Sequence, residues 1–274
     1  MRSLSFAACA IALSASAAHA AGHGACAEGK TLEDGVLTIA TGNPAYYPWV
    51  LNDAPESKEG FEAAVAYAIA EKMGFAEDQV TWVRTSFDEA IQPGAKNFDF
   101  NMQQYSITEE REQMVDFSLP YYTSAMAVLT TQSVVDKGIA PTAESMKGLI
   151  WGADANTTAV PMLNEMIAPE SDPLLYGDNT DVTAAMQANQ IDAALFDLPT
   201  ALYLAAVVVE GGVVFGQIPA DRAENPDQFG LLMEDGSALK ECVDAAITEL
   251  TDSGELAAIE AQWLQEATGV PVIE

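Results

Sequence analysis

Positive charge is scarce in this chain: eleven lysines and arginines stand against 41 aspartates and glutamates in 274 residues, a formal charge of −30. Nucleic acid and anionic membrane surfaces attract lysine and arginine patches, so neither is an expected partner. Histidine is nearly missing, with His19 and His23 both close to the N-terminus. That excludes zinc sites of the usual Cys/His type, Cys-His nucleophilic pairs and Ser-His-Asp triads together. The three cysteines, Cys9, Cys26 and Cys242, form no CxxC pair, and GxSxG, P-loop and GxGxxG signatures are absent. No metal and no cofactor is expected. The longest apolar stretch beyond the N-terminal region, Leu198 to Val209, is interrupted by Pro199 and bounded by Asp197 and Glu210, too short for a membrane span.

The first twenty residues carry Arg2, an apolar run from Leu4 to Ala18, and a close of Ala18-His19-Ala20 before Ala21. Small residues three and one before the cut mark a secretory signal peptide over residues 1–20, with export and a mature chain from about Ala21. Cys9 then leaves with the leader. Cys26 and Cys242 remain, an even pair that an oxidising compartment permits to bond, with two free thiols as the alternative. The acidity suits a saline habitat or an ordinary acidic exported protein.

Nearly half the chain is apolar, and its length suffices for one large domain or two of ordinary size. The pattern is α/β. Val36 to Thr41 alternates as a strand into the turn Gly42-Asn43-Pro44; Phe61, Ala64, Val65, Ile69 and Met73 keep helical spacing until Gly74; Val80 to Arg84 is strand-like. A short helix from Phe87 has Ser86 as N-cap, and Phe98 to Phe100 reads as the next strand. A second series begins at Ala125, with strands at 149–152, 191–196 and 213–218, and helices at 157–166 and 181–188. Helices at 238–250 and 256–264 close the chain. Two such series imply two lobes sharing a cleft, each a mostly parallel sheet flanked by helices. No sequence repeat supports duplication.

With Arg2 removed, only Arg84, Arg111 and Arg222 are left. Arg111 follows Gln104, Tyr105, Ser106 and Thr108, amide and hydroxyl groups fit to grip a small polar ligand. Its planar fork matches a carboxylate with two charge-assisted hydrogen bonds, so Arg111 is an expected anion clamp. In open α/β sheets ligands sit beyond the C-terminal ends of strands, where Asn43, Tyr46, Phe87, Gln104 and Ser106 all fall. Asn156, Thr157 and Thr158 open a helix whose unpaired N–H groups welcome an anion. Asp197 ends an apolar strand, where its carboxylate suits an ammonium or serves as a turn or cap acid.

Several motifs carry a family resemblance: Tyr46-Tyr47-Pro48-Trp49, GFE at Gly60, SITEER ending at Arg111, VDFSLPYY from Val115, NTTA from Asn156 and DAALFD ending at Asp197. From about Val36 to Leu264 the chain resembles the periplasmic polar-amino-acid-binding proteins of ABC importers, the family 3 bacterial extracellular solute-binding proteins. The resemblance implies the two-lobed type II periplasmic-binding-protein fold, with lobes at 31–124 plus 228–274 and at 125–227, a periplasmic monomer, and partnership with an inner-membrane permease and its ATPase. By the same resemblance Arg111 binds the ligand carboxylate, helped by backbone N–H groups of Ser106 and Thr158, with Thr157 beside them. Asp197, the Ser106 hydroxyl and the Gln104 carbonyl take the ammonium. Tyr46 and Phe87 sandwich the side chain, and hinges lie near 122–125 and 228–230.

Three departures bear on the ligand. Gln103-Gln104 replaces small residues, Asn156 stands where glycine is common, and Asn43 replaces the aspartate that binders of basic amino acids use. The last implies a ligand without a strongly cationic side chain. Arg84, near Phe87, suits either an acidic side chain or solvent. Alternatives are a cyclohexadienyl-dehydratase-like enzyme, using Glu62 or Asp197 as its acid or base; a sensor input domain; and a binder of a zwitterionic osmolyte, with Tyr46, Tyr47, Trp49 and Phe87 as an aromatic cage.

Overall fold

The computed structural model describes residues 24–220, 226–264 and 269–273. The expected signal peptide and Arg222 lie outside them. The first sheet has the order β2-β1-β3-β12-β4, from β1 (Leu37–Thr41), β2 (Val80–Arg84), β3 (Phe100–Asn101), β4 (Asp116–Phe117) and β12 (Leu232–Met233). The second has the order β10-β6-β9-β7-β8, from β6 (Met126–Thr131), β7 (Trp151–Asp154), β8 (Leu174–Tyr176), β9 (Ala193–Asp197) and β10 (Gly212–Ile218). Between them β5 (Tyr122–Ser124) pairs antiparallel with β11 (Asp227–Phe229).

In each sheet four strands run one way and one runs against them: β12 pairs antiparallel with β3 and β4, and β6 with β9 and β10. Each reversed strand follows a crossing strand, because the chain enters each sheet from the other lobe. The two sheets thus share one connectivity. Sequence alone gave no hint of it, since the correspondence lives in strand order rather than residue identity.

Helix Phe61–Lys72 explains the GFE motif. Phe61, Glu62, Ala63, Val65, Ala66, Ala68, Ile69 and Ala70 are all buried, the alanines letting it lie close against helices Lys240–Asp252 and Glu255–Trp263. Gly60 precedes it at φ +105°, where a Cβ would sit 2.5 Å from the Trp49 carbonyl oxygen, so only glycine fits. Trp49, wholly buried, meets Phe61, Tyr122 and Phe229 at ring distances of 5.9, 5.6 and 5.7 Å, anchoring both crossing strands in the first lobe.

Cys26 and Cys242 are bonded, across a sequence separation of 216. A crosslink closing so long a loop removes denatured-state entropy, so reduction is expected to cost about 2–5 kcal/mol. A melting midpoint unmoved by reductant would contradict this. At its end the chain returns to the second lobe: the Ile273 N–H donates to the Gln217 carbonyl (2.9 Å) and the Gln217 N–H to the Pro271 carbonyl (2.8 Å). Gly216 makes the approach possible, since a Cβ there would lie 2.6 Å from Ile273 Cγ1.

Candidate ligand-binding cleft

A cavity of about 210 Å³ lies between the lobes, at the C-terminal ends of the parallel strands of both sheets. All eight expected site residues line it: Tyr46, Phe87, Gln104, Ser106, Arg111, Thr157, Thr158 and Asp197. The loops after β1, β2 and β3 bring the first five; Thr157 and Thr158 follow β7, and Asp197 ends β9.

Arg111 is buried, and burial holds its guanidinium below the usual arginine range. Nη1 donates to the Ser106 carbonyl (2.9 Å) and Nη2 to the Asn156 carbonyl (2.8 Å), while the fork lies 5.2 Å from the Phe87 ring centroid. Two carbonyls and an aromatic face orient it. Among the described residues no carboxylate lies within ion-pair distance of it, so an anion is the partner it lacks. Thr158 stands at the N-cap position of helix Ala159–Met166 without a side-chain capping bond, its hydroxyl 3.2 Å from that of Ser106.

Asp197 accepts from the Thr200 N–H (2.8 Å) and caps helix Leu198–Tyr203 while facing the cavity, so cap and ligand group coincide in one residue. Burial, opposed by those Thr200 contacts and reinforced by Asp227, pushes its carboxyl up to about 7. Sequence reasoning missed Asp227, Asp154, Asp88 and Asp178 on the cavity wall. Asp154 ends β7 just as Asp197 ends β9, so the pattern that exposed one was available for the other.

Glu62 stands just behind the wall, among neither the cavity residues nor solvent. The Gln104 backbone N–H donates to it at 2.9 Å, and the Gln104 side-chain amide and Tyr121 hydroxyl donate as well. Burial outweighs these donors and lifts its carboxyl to about 7. It secures Gln104, whose backbone is left-handed at φ +51°.

Other expectations change. Arg84 is not among the cavity residues; partly exposed to solvent, it pairs with Asp53 (2.6 Å) and donates to the Gly42 carbonyl (2.8 Å). The aromatic cage does not assemble, because Trp49 is in the core and Tyr47 packs on Tyr203 (5.0 Å), leaving Tyr46 and Phe87 at the cavity. Several hydrogen bonds span the cleft: Tyr46 to Thr180 (2.8 Å), Trp49 to Thr200 (2.9 Å), and Asn156 to Asp88 (2.8 Å). The lobes are closed on each other.

The sequence model of the bacterial extracellular solute-binding proteins, family 3, matches residues 37–266. The chain belongs to that family. It is 25% identical over 236 residues to the L-cystine-binding protein of Escherichia coli K12, covering 85% of this chain and 84% of that one. An amino acid ABC transporter substrate-binding protein from Streptococcus pneumoniae, bound to L-arginine, superposes with a TM-score of 0.65 at 26% identity, covering 85% and 96% of the two chains. The ancestral amino acid-binding protein AncCDT-1, a precursor of cyclohexadienyl dehydratase, shares the fold at TM-score 0.65 and 24% identity over 84% of this chain and 96% of its own.

Proposed function

We propose that this family member is the periplasmic substrate-binding subunit of an ABC importer and that its ligand is an α-amino acid. The observation that carries the reading is one interlobe cavity holding a buried cationic fork, Arg111, and a carboxylate, Asp197. Such a pair matches the carboxylate and ammonium of an amino acid. The Ser106 and Thr158 N–H groups, with Thr157, assist the carboxylate; Ser106 and Gln104 assist the ammonium; Tyr46 and Phe87 flank the side chain. The lobes, 31–124 plus 228–264 and 125–227 joined by the returning residues 271–273, rather than 228–274 lying wholly in the first, open about β5 and β11. Residues 1–20 direct export, and the monomer presents its closed form to a permease served by an ATPase.

The chain is read as a binder rather than an enzyme. A dehydratase needs a positioned acid or base; Glu62 has its oxygens engaged by Gln104 and Tyr121 behind the cavity wall, and Asp197, which does face the cavity, is read as the partner of the ligand ammonium. Thermal unfolding of the mature protein against the twenty amino acids, deaminated acids and osmolytes tests the reading. Ligand at about a hundred times its Kd adds roughly 2.7 kcal/mol, enough to lift the midpoint by about 5–11 °C in a protein this size. A rise confined to amino acids supports it; a flat response across amino acids, or a rise with osmolytes alone, overturns it.

A further inference from the structure

Resting on the amino-acid reading of the cleft, we propose that the ligand's side chain carries a second positive charge and that Asp154 is the residue that selects it. Five aspartates line the cavity, Asp88, Asp154, Asp178, Asp197 and Asp227, against the single cation Arg111. A zwitterionic ligand brings one charge of each sign: its carboxylate meets Arg111 and its ammonium meets Asp197. Asp227 lies in the electrostatic field of Arg111 and against Ser106. Asp154 also feels Arg111, but one guanidinium shared with Asp227 and the ligand carboxylate leaves Asp154, Asp88 and Asp178 with a net excess of negative charge.

Asp154 is the decisive one. It is 7% exposed, and its Oδ1 accepts from the Asn156 N–H at 3.1 Å, whereas Oδ2 has no donor among the described residues. A carboxylate so enclosed is costly without a cationic partner, and a ligand ammonium, guanidinium or imidazolium would supply one. Its environment agrees: burial first, then Asp88 and Asp178, push its carboxyl up to about 6. Asp88 and Asp178 also have local tasks, receiving the Asn156 side-chain amide and capping helix Asn179–Gln187, so they shape the field rather than hold the ligand directly. Asn43 by itself implied a ligand without a strongly cationic side chain, but Asn43 lies in the first lobe, whereas Asp154 and Asp178 come from the second.

Calorimetric titration with L-arginine and its neutral isostere L-citrulline, alongside L-lysine, L-histidine, L-glutamine and L-glutamate, tests the assignment. Wild type is expected to bind at least one of the three cationic amino acids ten or more times more tightly than any neutral or acidic one. Asp154→Asn is expected to lose tenfold or more for that ligand while changing affinity for its neutral counterpart by less than threefold. Should Asp154→Asn fail to fold, Asp178→Asn at an exposed position reads the same discrimination with a smaller change. Tighter binding of a neutral or acidic amino acid by wild type, or equal losses for both ligands in the variant, overturns the charge assignment while the amino-acid reading stands. Absence of binding by all six, with osmolytes or deaminated acids binding instead, overturns both.

Discussion

Replacing Arg111 with alanine is expected to weaken amino-acid binding by at least a hundredfold. Two charge-assisted hydrogen bonds to the ligand carboxylate are worth about 1.5–3 kcal/mol each, and every 1.4 kcal/mol is tenfold in Kd. The lysine variant should fare little better, since a single ammonium cannot reproduce a planar fork held by the Ser106 and Asn156 carbonyls. Stability should respond much less than affinity. The deletion strands two carbonyl acceptors but also relieves a buried cation whose charge is disfavoured by its surroundings. Calorimetry and a melting curve on the same sample separate the two effects; an affinity within threefold of wild type would remove Arg111 from the site.

The second large effect is pH dependence. Glu62 and Asp197 both have carboxyls lifted to about 7 in the folded ligand-free protein, from ordinary values of 4.5 and 3.8. A raised folded pKa means the native state holds protons that the unfolded chain has released, so the contribution of these two groups to stability is fully present below about pH 4 and is lost as pH rises through about 7. For the enclosed Glu62 this loss is on the order of 3 kcal/mol. Ligand reverses the trend at Asp197, because an ammonium needs the ionised carboxylate. Below about pH 7 a proton must leave before the ammonium can pair, and affinity should fall by up to about tenfold per pH unit. Asp227 and Glu62 also face this region, and Asp154 titrates nearby, so Asp197→Asn is the control: it should bind more weakly at pH 8 and with a flatter profile. Unchanged steepness in that variant would move the linkage elsewhere.

Sequence made the site more legible than the framework around it. Gln104, Ser106 and Arg111 lie within eight positions, and Asp197 closes an apolar strand, so local chemistry announced them. Asp227 carried no such signal. It acquires its place because β11 returns beside β5, a pairing of distant segments. Strands β4, β5, β11 and β12 are two or three residues long, below the length at which alternation can be read. Leu198 to Val209 looked like a broken apolar run, yet Asp197 as cap and Pro199 in the first turn make 198–203 a helix. The acids on the second lobe were missed for a related reason. Their effect depends on three loops converging, and no single window of sequence contains them.

The central claim is that one cavity holds both ends of an α-amino acid. Calorimetric titration with the tightest-binding amino acid and two truncated analogues, one lacking the amino group and one lacking the carboxylate, addresses it most directly. Each analogue is expected to bind at least a hundredfold more weakly, with loss of the amino group costing much less in Asp197→Asn, and loss of the carboxylate much less in Arg111→Ala, than in wild type. Truncated analogues that bind as tightly as the intact amino acid would contradict it.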